Sequence, residues 1–345
     1  MDDVARLPVG DRRDLFAAAA ARRALLPAIV EKDFWVCWTL KRVFALPDPP
    51  AHLLFKGGTS LSKVFGAIER FSEDVDLSFD RADLGFGEDK DPLAADSRKK
   101  KKRLVDDLAA ACQVAIRDRL LPQLAAAFAA ALGAPAGRGW DVELDPADPD
   151  GQTVLFHYPA TDPPAGGEPA YLRPAVRLEL GARSDPWPSA DTTVTPYVAE
   201  EFPDQFREPM AAVRVLSVER TFWEKATILH LWHHAPVGKD FKDRLSRHYY
   251  DLARLYETGI GAAALSDPAL LLAVAEHKDT FFPAAWAKYD EAKPGSLRLV
   301  PPEARLAALA DDYRKMREMF FSEPPPFAAI IATLRDLEAR INTPA

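Results

Sequence analysis

One stretch limits what this chain can become: residues 55–79, FKGGTSLSKVFGAIERFSEDVDLSF. At its front, Leu53-Leu54-Phe55 is a short apolar, strand-like run that breaks into Gly57-Gly58-Thr59-Ser60. At its back, Asp74-Val75-Asp76-Leu77-Ser78-Phe79 alternates polar with apolar, the period of a half-buried strand. Between the two, Leu61, Val64, Phe65 and Ile68 fall at helical spacing. Successive side chains on a strand point to opposite faces, so Asp74 and Asp76 share a face at about 7 Å. The stretch predicts strand, glycine turn, helix, then a strand with two aligned carboxylates.

Two glycines let a backbone approach a phosphate closely, and the amides of a helix start favour an anion. Two carboxylates on one strand face repel each other unless a divalent cation lies between them. A metal beside a triphosphate cradle points to phosphoryl or nucleotidyl transfer. A lone DxD is most often an acidic turn, and a lone GG says less. Their ordered combination carries the reading. No G-x-x-x-x-G-K-[ST] occurs, so a P-loop is excluded.

Gly58-Thr59-Ser60 followed by Asp74-Val75-Asp76 resembles the signature of the DNA polymerase-β-type nucleotidyltransferase superfamily. More narrowly, Phe55 to Leu61 together with Arg70-Phe71-Ser72-Glu73-Asp74-Val75-Asp76-Leu77 resembles the AbiEii/AbiGii nucleotidyltransferase toxins of bacterial abortive-infection and toxin–antitoxin pairs. Glu31-Lys32-Asp33, followed by aromatics, also resembles that family's N-terminal segment, where a packing role and a direct role stay equally open.

Composition sets outer bounds. At 345 residues with 48% hydrophobic content, the chain can bury a sizeable core. No apolar run reaches membrane-spanning length, the start MDDVARLPVG is unlike a signal peptide, and Cys37 and Cys112 show no metal spacing. A cytoplasmic protein without membrane contact is expected. The net charge of −8 argues against general nucleic-acid binding. Against that stands a local run of basic residues from Arg98 to Arg103, either a solvated helix face or a contact for an RNA backbone.

Along the chain, residues 11–26 read as a helix, and a second, well-buried helix follows Pro27. Residues 80–97 read as a surface loop. The basic run feeds an alanine-rich helical stretch to Leu132 that Pro122 should kink or divide. Short strands follow from Trp140, from Thr153 and from Ala175, with a proline–glycine loop over 160–170. In the last strand Arg177 and Glu179 share a face. Glu179 is either half of an exposed Arg–Glu pair or, as the resemblance implies, a third metal-binding carboxylate. Residues 185–212 are rich in Pro and read as a lobe boundary. Beyond them the pattern is helical, with Lys225 on one helix and Arg247 and Asp251 on another. His230 and His234 lie at i, i+4 spacing, yet no HExxH or adjoining carboxylate supports a zinc site.

The expected architecture is α/β: a polymerase-β-like nucleotidyltransferase lobe with a small mixed sheet over 1–195, and a mainly helical lobe over 196–345. The resemblance implies Mg²⁺-dependent transfer of a nucleoside monophosphate from an NTP, with tRNA 3′ ends as an acceptor and a cognate antitoxin as partner. It assigns Asp74 and Asp76 to the metal, Gly57, Gly58, Thr59 and Ser60 to the nucleotide, and Lys225 and Arg247 to its phosphates. Asp251 becomes an additional active-site acid, and the helical lobe completes the cleft. Many relatives carry Asp after the motif arginine; here that place is His248. Two rivals stay open: transfer to a protein or an aminoglycoside-type small molecule, and a non-catalytic nucleotide-binding module.

Overall fold

The computed structural model describes residues 1–135, 139–162, 173–241 and 243–343. The chain divides into two compact units: Met1–Val64, Ser72–Asp91 and Leu104–Val215 make the first; Phe65–Phe71, Pro92–Arg103 and Leu216–Ala345 make the second.

The first unit holds the strands β1 (Leu53–Lys56), β2 (Asp74–Phe79), β3 (Asp141–Leu144), β4 (Thr153–His157), β5 (Ala175–Gly181), β6 (Ser189–Val194) and β7 (Ala211–Leu216). They form one seven-stranded sheet in the order β3-β4-β5-β2-β1-β7-β6. It is mixed: β1 runs antiparallel to β2 and parallel to β7, and β2 runs parallel to β5. The motif strands β1 and β2 therefore lie inside the sheet, paired on both edges. In β2 the alternation is realised, with Val75 and Leu77 buried and Asp74 and Asp76 half-buried on the opposite face.

The helices of this unit are α1 (Asp2–Ala5), α2 (Val9–Arg23), α3 (Pro27–Phe44), α4 (Gly57–Lys63), α6 (Leu121–Leu132), α7 (Tyr197–Glu201) and the later part of α5 (Arg98–Ala115). Pro27 opens α3, where its missing N–H has no intrahelical acceptor to serve. From Ile29 to Leu40 every residue of α3 is buried. Trp38 stacks on Phe156 of β4 at 5.5 Å between ring centroids, and Phe128 of α6 approaches the same ring at 4.6 Å. This aromatic cluster fixes α3 on the sheet.

One expectation changes. The helix after the glycine pair stops at Lys63 and does not carry the register on to Ile68. Gly66 takes a left-handed backbone at φ +56, which ends helical continuation, and Phe65–Phe71 belong to the second unit. The proline-rich stretch 185–212, read as a lobe boundary, contains β6, α7 and the start of β7. Its prolines punctuate short elements, and Pro196 lies just before the first turn of α7. Pro122 does divide the helical stretch, through a π-helical turn at Ile116–Leu120, and then occupies the first turn of α6. Most of the proline–glycine loop expected over 160–170 lies outside the described residues, as do all of 163–172.

The second unit is helical: α8 (Val218–His233), α9 (Ser246–Glu257), α10 (Ile260–Leu265), α11 (Pro268–Phe281), α12 (Glu303–Lys315) and α13 (Phe327–Asn342). Ser217 caps α8 by accepting the Arg220 N–H, and Asp267 caps α11 by accepting that of Leu270. The segment Phe65–Phe71 is stitched in by an antiparallel bridge: Phe71 N–H donates to the Met319 carbonyl at 2.6 Å, and Phe321 N–H to that of Glu69 at 3.1 Å. Asp312 of α12 fastens the start of α9, accepting from the Arg244 and Ser246 amides and the Ser246 hydroxyl. Among the described residues no helix is long and apolar enough to cross a membrane.

Trp38 is fully buried in the aromatic cluster. Trp38→Ala should lower the unfolding free energy by about 3–5 kcal/mol, read by urea denaturation. A loss under about 1 kcal/mol would place the principal core elsewhere.

Candidate functional site

The glycine turn and the carboxylate strand meet at one contact. Gly57 has φ +80, a conformation that side chains resist, and a Cβ built there would lie 1.9 Å from Asp76 Oδ2. Only glycine leaves room for that carboxylate. The same turn is clamped to the start of β2 by Thr59, whose hydroxyl donates to the Asp74 carbonyl and, at 3.2 Å, to that of Ser72. Ser60 is fully buried and its hydroxyl donates to the Gly57 carbonyl at 2.9 Å, closing the turn on itself. Gly58 is half-buried beside them.

Strand register builds the rest of the face. Asp76 is opposite Glu179 of β5 and Lys56 of β1, and Asp74 is opposite Arg177. Paired residues in a sheet point to the same side, so these five side chains share one surface. The Glu179 carboxylate ion-pairs with Arg177 Nε at 3.2 Å. Burial raises the Asp74 carboxyl above its usual range, with the charges of Glu73 and Asp76 pushing the same way and Lys32 and Arg177 pushing back. Among the described residues, no three His, Cys, Asp or Glu side chains are gathered closely enough as they stand to hold a metal ion. The Asp74–Asp76 pair nonetheless suits a hard divalent cation: its donors are all oxygen, and its mutual repulsion is what such an ion relieves.

Three consecutive charges of α3, buried in otherwise apolar surroundings, fasten this region from behind. Glu31 accepts the Thr161 amide and hydroxyl at 2.8 and 2.9 Å. Lys32 donates to Glu73 Oε2 at 3.1 Å. Asp33 accepts the Tyr197 amide at 2.6 Å and ion-pairs with Lys63, the last residue of α4, at 2.8 Å. Sequence reasoning left the role of these residues open and missed Lys63. The signal was present, since charged residues inside a run as apolar as α3 require partners.

In the second unit, Asp251 of α9 has no solvent exposure. It takes Arg70 in a forked pair, Nε to Oδ1 at 2.7 Å and Nη2 to Oδ2 at 2.8 Å, and Lys225 of α8 at 2.7 Å. Burial by itself would raise the Asp251 carboxyl, but Arg70 and Lys225 hold it far below the ordinary range. Burial lowers Lys225, with Asp251 opposing and Arg70 and Arg247 adding to the fall. Arg247 is half-buried and, among the described residues, has no ion-pair partner. Its neighbour His248 is driven well below its usual value by burial and by the charges of Lys225 and Arg247. The sequence placed Arg247 beside Asp251 at i, i+4, whereas the observed partner is Arg70, distant in sequence and invisible to helical spacing.

The histidines of α8 serve packing. His230 Nε2 meets the Lys288 carbonyl at 3.0 Å and its Nδ1 accepts the Arg298 amide at 3.0 Å, which engages both ring nitrogens. His233 Nδ1 meets the Val300 carbonyl at 2.7 Å. Of the basic run, Arg98, Lys99, Lys102 and Arg103 are exposed along one side of the first turns of α5. Lys100 and Lys101 are half-buried, and Lys101 Nζ donates to Thr280 at 3.3 Å.

A sequence model of the nucleotidyl transferase AbiEii toxin family, described as a type IV toxin–antitoxin system, matches residues 38–336. No curated protein matches the chain. Among solved structures, MenT4, a nucleotidyltransferase toxin from Mycobacterium tuberculosis H37Rv, is similar at a TM-score of 0.50 and 18% identity, over 96% of this chain and 90% of that one. At this identity the likeness concerns the fold.

Asp251→Asn should cost about 3–5 kcal/mol in urea unfolding at pH 7, because Arg70 and Lys225 lose their shared counter-charge in a buried site. The contribution of Asp251 is complete above the unfolded carboxylate range, near pH 4, and is lost as pH falls towards its depressed folded value. A variant as stable as the parent at pH 7 would contradict this. Asp74 has the opposite sign. Its raised carboxyl strains the folded state once pH exceeds the unfolded value, so Asp74→Asn should raise Tm at pH 7 without divalent cations. The gain should vanish where Asp74 is protonated in both states, and a lower Tm at pH 7 would refute it.

Proposed function

The chain belongs to the AbiEii family of nucleotidyltransferase toxins of type IV toxin–antitoxin systems, and we propose that it transfers a nucleoside monophosphate from an NTP to the 3′ end of tRNA, using Mg²⁺ held by Asp74 and Asp76. Membership implies an NTP substrate and an antitoxin partner. The observation that carries the cation reading is the seat of Asp76: its carboxylate lies against the bare backbone of Gly57, joining the acidic strand to the glycine turn. Glu179, opposite Asp76 in register, is the third carboxylate we assign to the ion.

A bound divalent ion would neutralise triphosphate charge and lower the pKa of the acceptor hydroxyl. The protein's own groups do the positioning. Gly57 and Gly58 present main chain to the β- and γ-phosphates, while Thr59 and Ser60 hold that turn in shape through their hydroxyl bonds. Lys225 and Arg247 neutralise charge developing on the departing pyrophosphate. Asp251 acts on the reaction through Lys225, whose ammonium it orients at 2.7 Å.

The exposed side of α5 supports a polyanionic acceptor. Basic residues in the first turn of a helix oppose its dipole and repel one another, so helix stability does not account for them. Such a face suits an RNA backbone better than a small aminoglycoside, and cytoplasmic tRNA is the acceptor we assign.

Incubation with each labelled NTP, Mg²⁺ and total RNA should transfer label to tRNA. Label appearing only on protein or a small molecule would overturn the acceptor. Asp76→Ala should abolish transfer and growth inhibition, and activity within a few-fold of the parent would remove Asp76 from the site. Lys225→Ala should raise the NTP KM or lower kcat, and Lys225→Arg should rescue poorly, because a forked guanidinium does not replace a point charge. Replacing Lys99 and Lys102 with Ser should reduce the salt dependence of RNA binding by about one unit of slope per contacting lysine, with NTP binding unchanged. An unchanged slope would return the run to a solvated face.

A further inference from the structure

Lys32 has no part in the chemistry above, yet its position on α3 is anomalous. It is 2% exposed, in a helix whose following residues from Phe34 to Leu40 are almost wholly apolar. Taking an ammonium out of water costs several kcal/mol, and a buried ion pair seldom returns more than a well-packed apolar pair would. A methionine could pack there, though without the bond to Glu73. Stability alone does not explain a charge here.

Its surroundings do. Lys32 Nζ binds Glu73 Oε2 at 3.1 Å, and Glu73 is the residue immediately before Asp74. The Lys32 charge also acts on the Asp74 carboxylate itself. Glu73, Asp74, Asp76 and Glu179 gather negative charge at the start of β2 and on β5. Arg177 meets part of it from within the sheet, and Lys32 meets part of it from the helix behind.

We propose that Lys32 is a built-in counter-cation of the carboxylate site, which neutralises it in the absence of a divalent ion and thereby sets how tightly such an ion binds. The inference rests on Asp74 and Asp76 as the cation site. Lys32 is a positioning residue: it touches Glu73 and opposes an incoming cation through space. The arrangement keeps cation affinity moderate, so that the ion binds firmly only when a triphosphate adds its own negative charge.

The test is a titration of purified full-length protein with Mn²⁺ and Mg²⁺, without nucleotide, followed by calorimetry and by the rise in Tm. Lys32→Met should tighten cation binding about five- to tenfold, since one repelling charge is gone. Glu73→Gln should weaken it by a similar factor, because Lys32 is left uncompensated. The double variant should return close to the parent. A role confined to packing would instead lower Tm in both single variants and leave cation affinity unchanged or shift it the same way in both, and either result overturns the inference. If Lys32→Met does not fold, the sign for Glu73→Gln decides: unchanged or tighter binding refutes it. No cation binding by the parent would remove the cation site itself, and the inference with it, a result distinct from equal binding by parent and variants.

Discussion

Asp76 occupies the space that any side chain at residue 57 would need. This single exclusion ties a backbone conformation to a charge. The turn must be glycine because the carboxylate is there, and the carboxylate can sit there only because the turn is bare and left-handed. Sheet pairing then does the rest. Once β2 lies between β1 and β5, the register presents Lys56, Glu179 and Arg177 beside the two aspartates without further design. The Thr59 hydroxyl removes the remaining freedom by binding the carbonyls of Ser72 and Asp74.

Around that constraint, both units use buried charge as a fastener, with different consequences. Asp251 is fully enclosed and engages both carboxylate oxygens in three charge-assisted contacts. Its negative charge opposes the burial that lowers the Lys225 ammonium. Glu31, Lys32 and Asp33 differ because successive helical residues point about 100° apart. One turn of α3 therefore reaches three separate segments: the chain after β4, the foot of β2, and the end of α4 with the start of α7. An apolar turn could pack against these segments but could not fix their register.

The nucleotidyltransferase class was legible because its determinants are local. A glycine pair, a period-two strand and an acidic pair lie within 25 residues, residues 55–79. Family membership follows from the same residues read together with those of α8 and α9. What sequence could not supply was pairing at a distance. Nothing in the spacing of Arg70 announces Asp251 as its partner, and helical periodicity offered Arg247 in its place. The same limit produced the overlong helix after Gly58: Val64, Phe65 and Ile68 have the right spacing, but a left-handed Gly66 and a different set of neighbours decide their conformation. The strands β6 and β7 were hidden by composition, since prolines at the ends of short elements look the same as prolines in a linker.

Charge distribution along the chain completes the physical picture. A net charge of −8 repels a polyanion at long range, so any approach of RNA must depend on a local field. The exposed side of α5 supplies one, and at physiological salt a field extends only about 8 Å from its source. Arg98, Lys99, Lys102 and Arg103 are exposed within two turns of α5, while Glu276, Asp279 and Asp290 line a cavity shared with Arg98 and offset part of that field. Overall acidity and a nucleic-acid acceptor are thus compatible. The compatibility also has a direction: raising the salt weakens the attractive patch and the long-range repulsion together, but the patch acts at contact and survives longer.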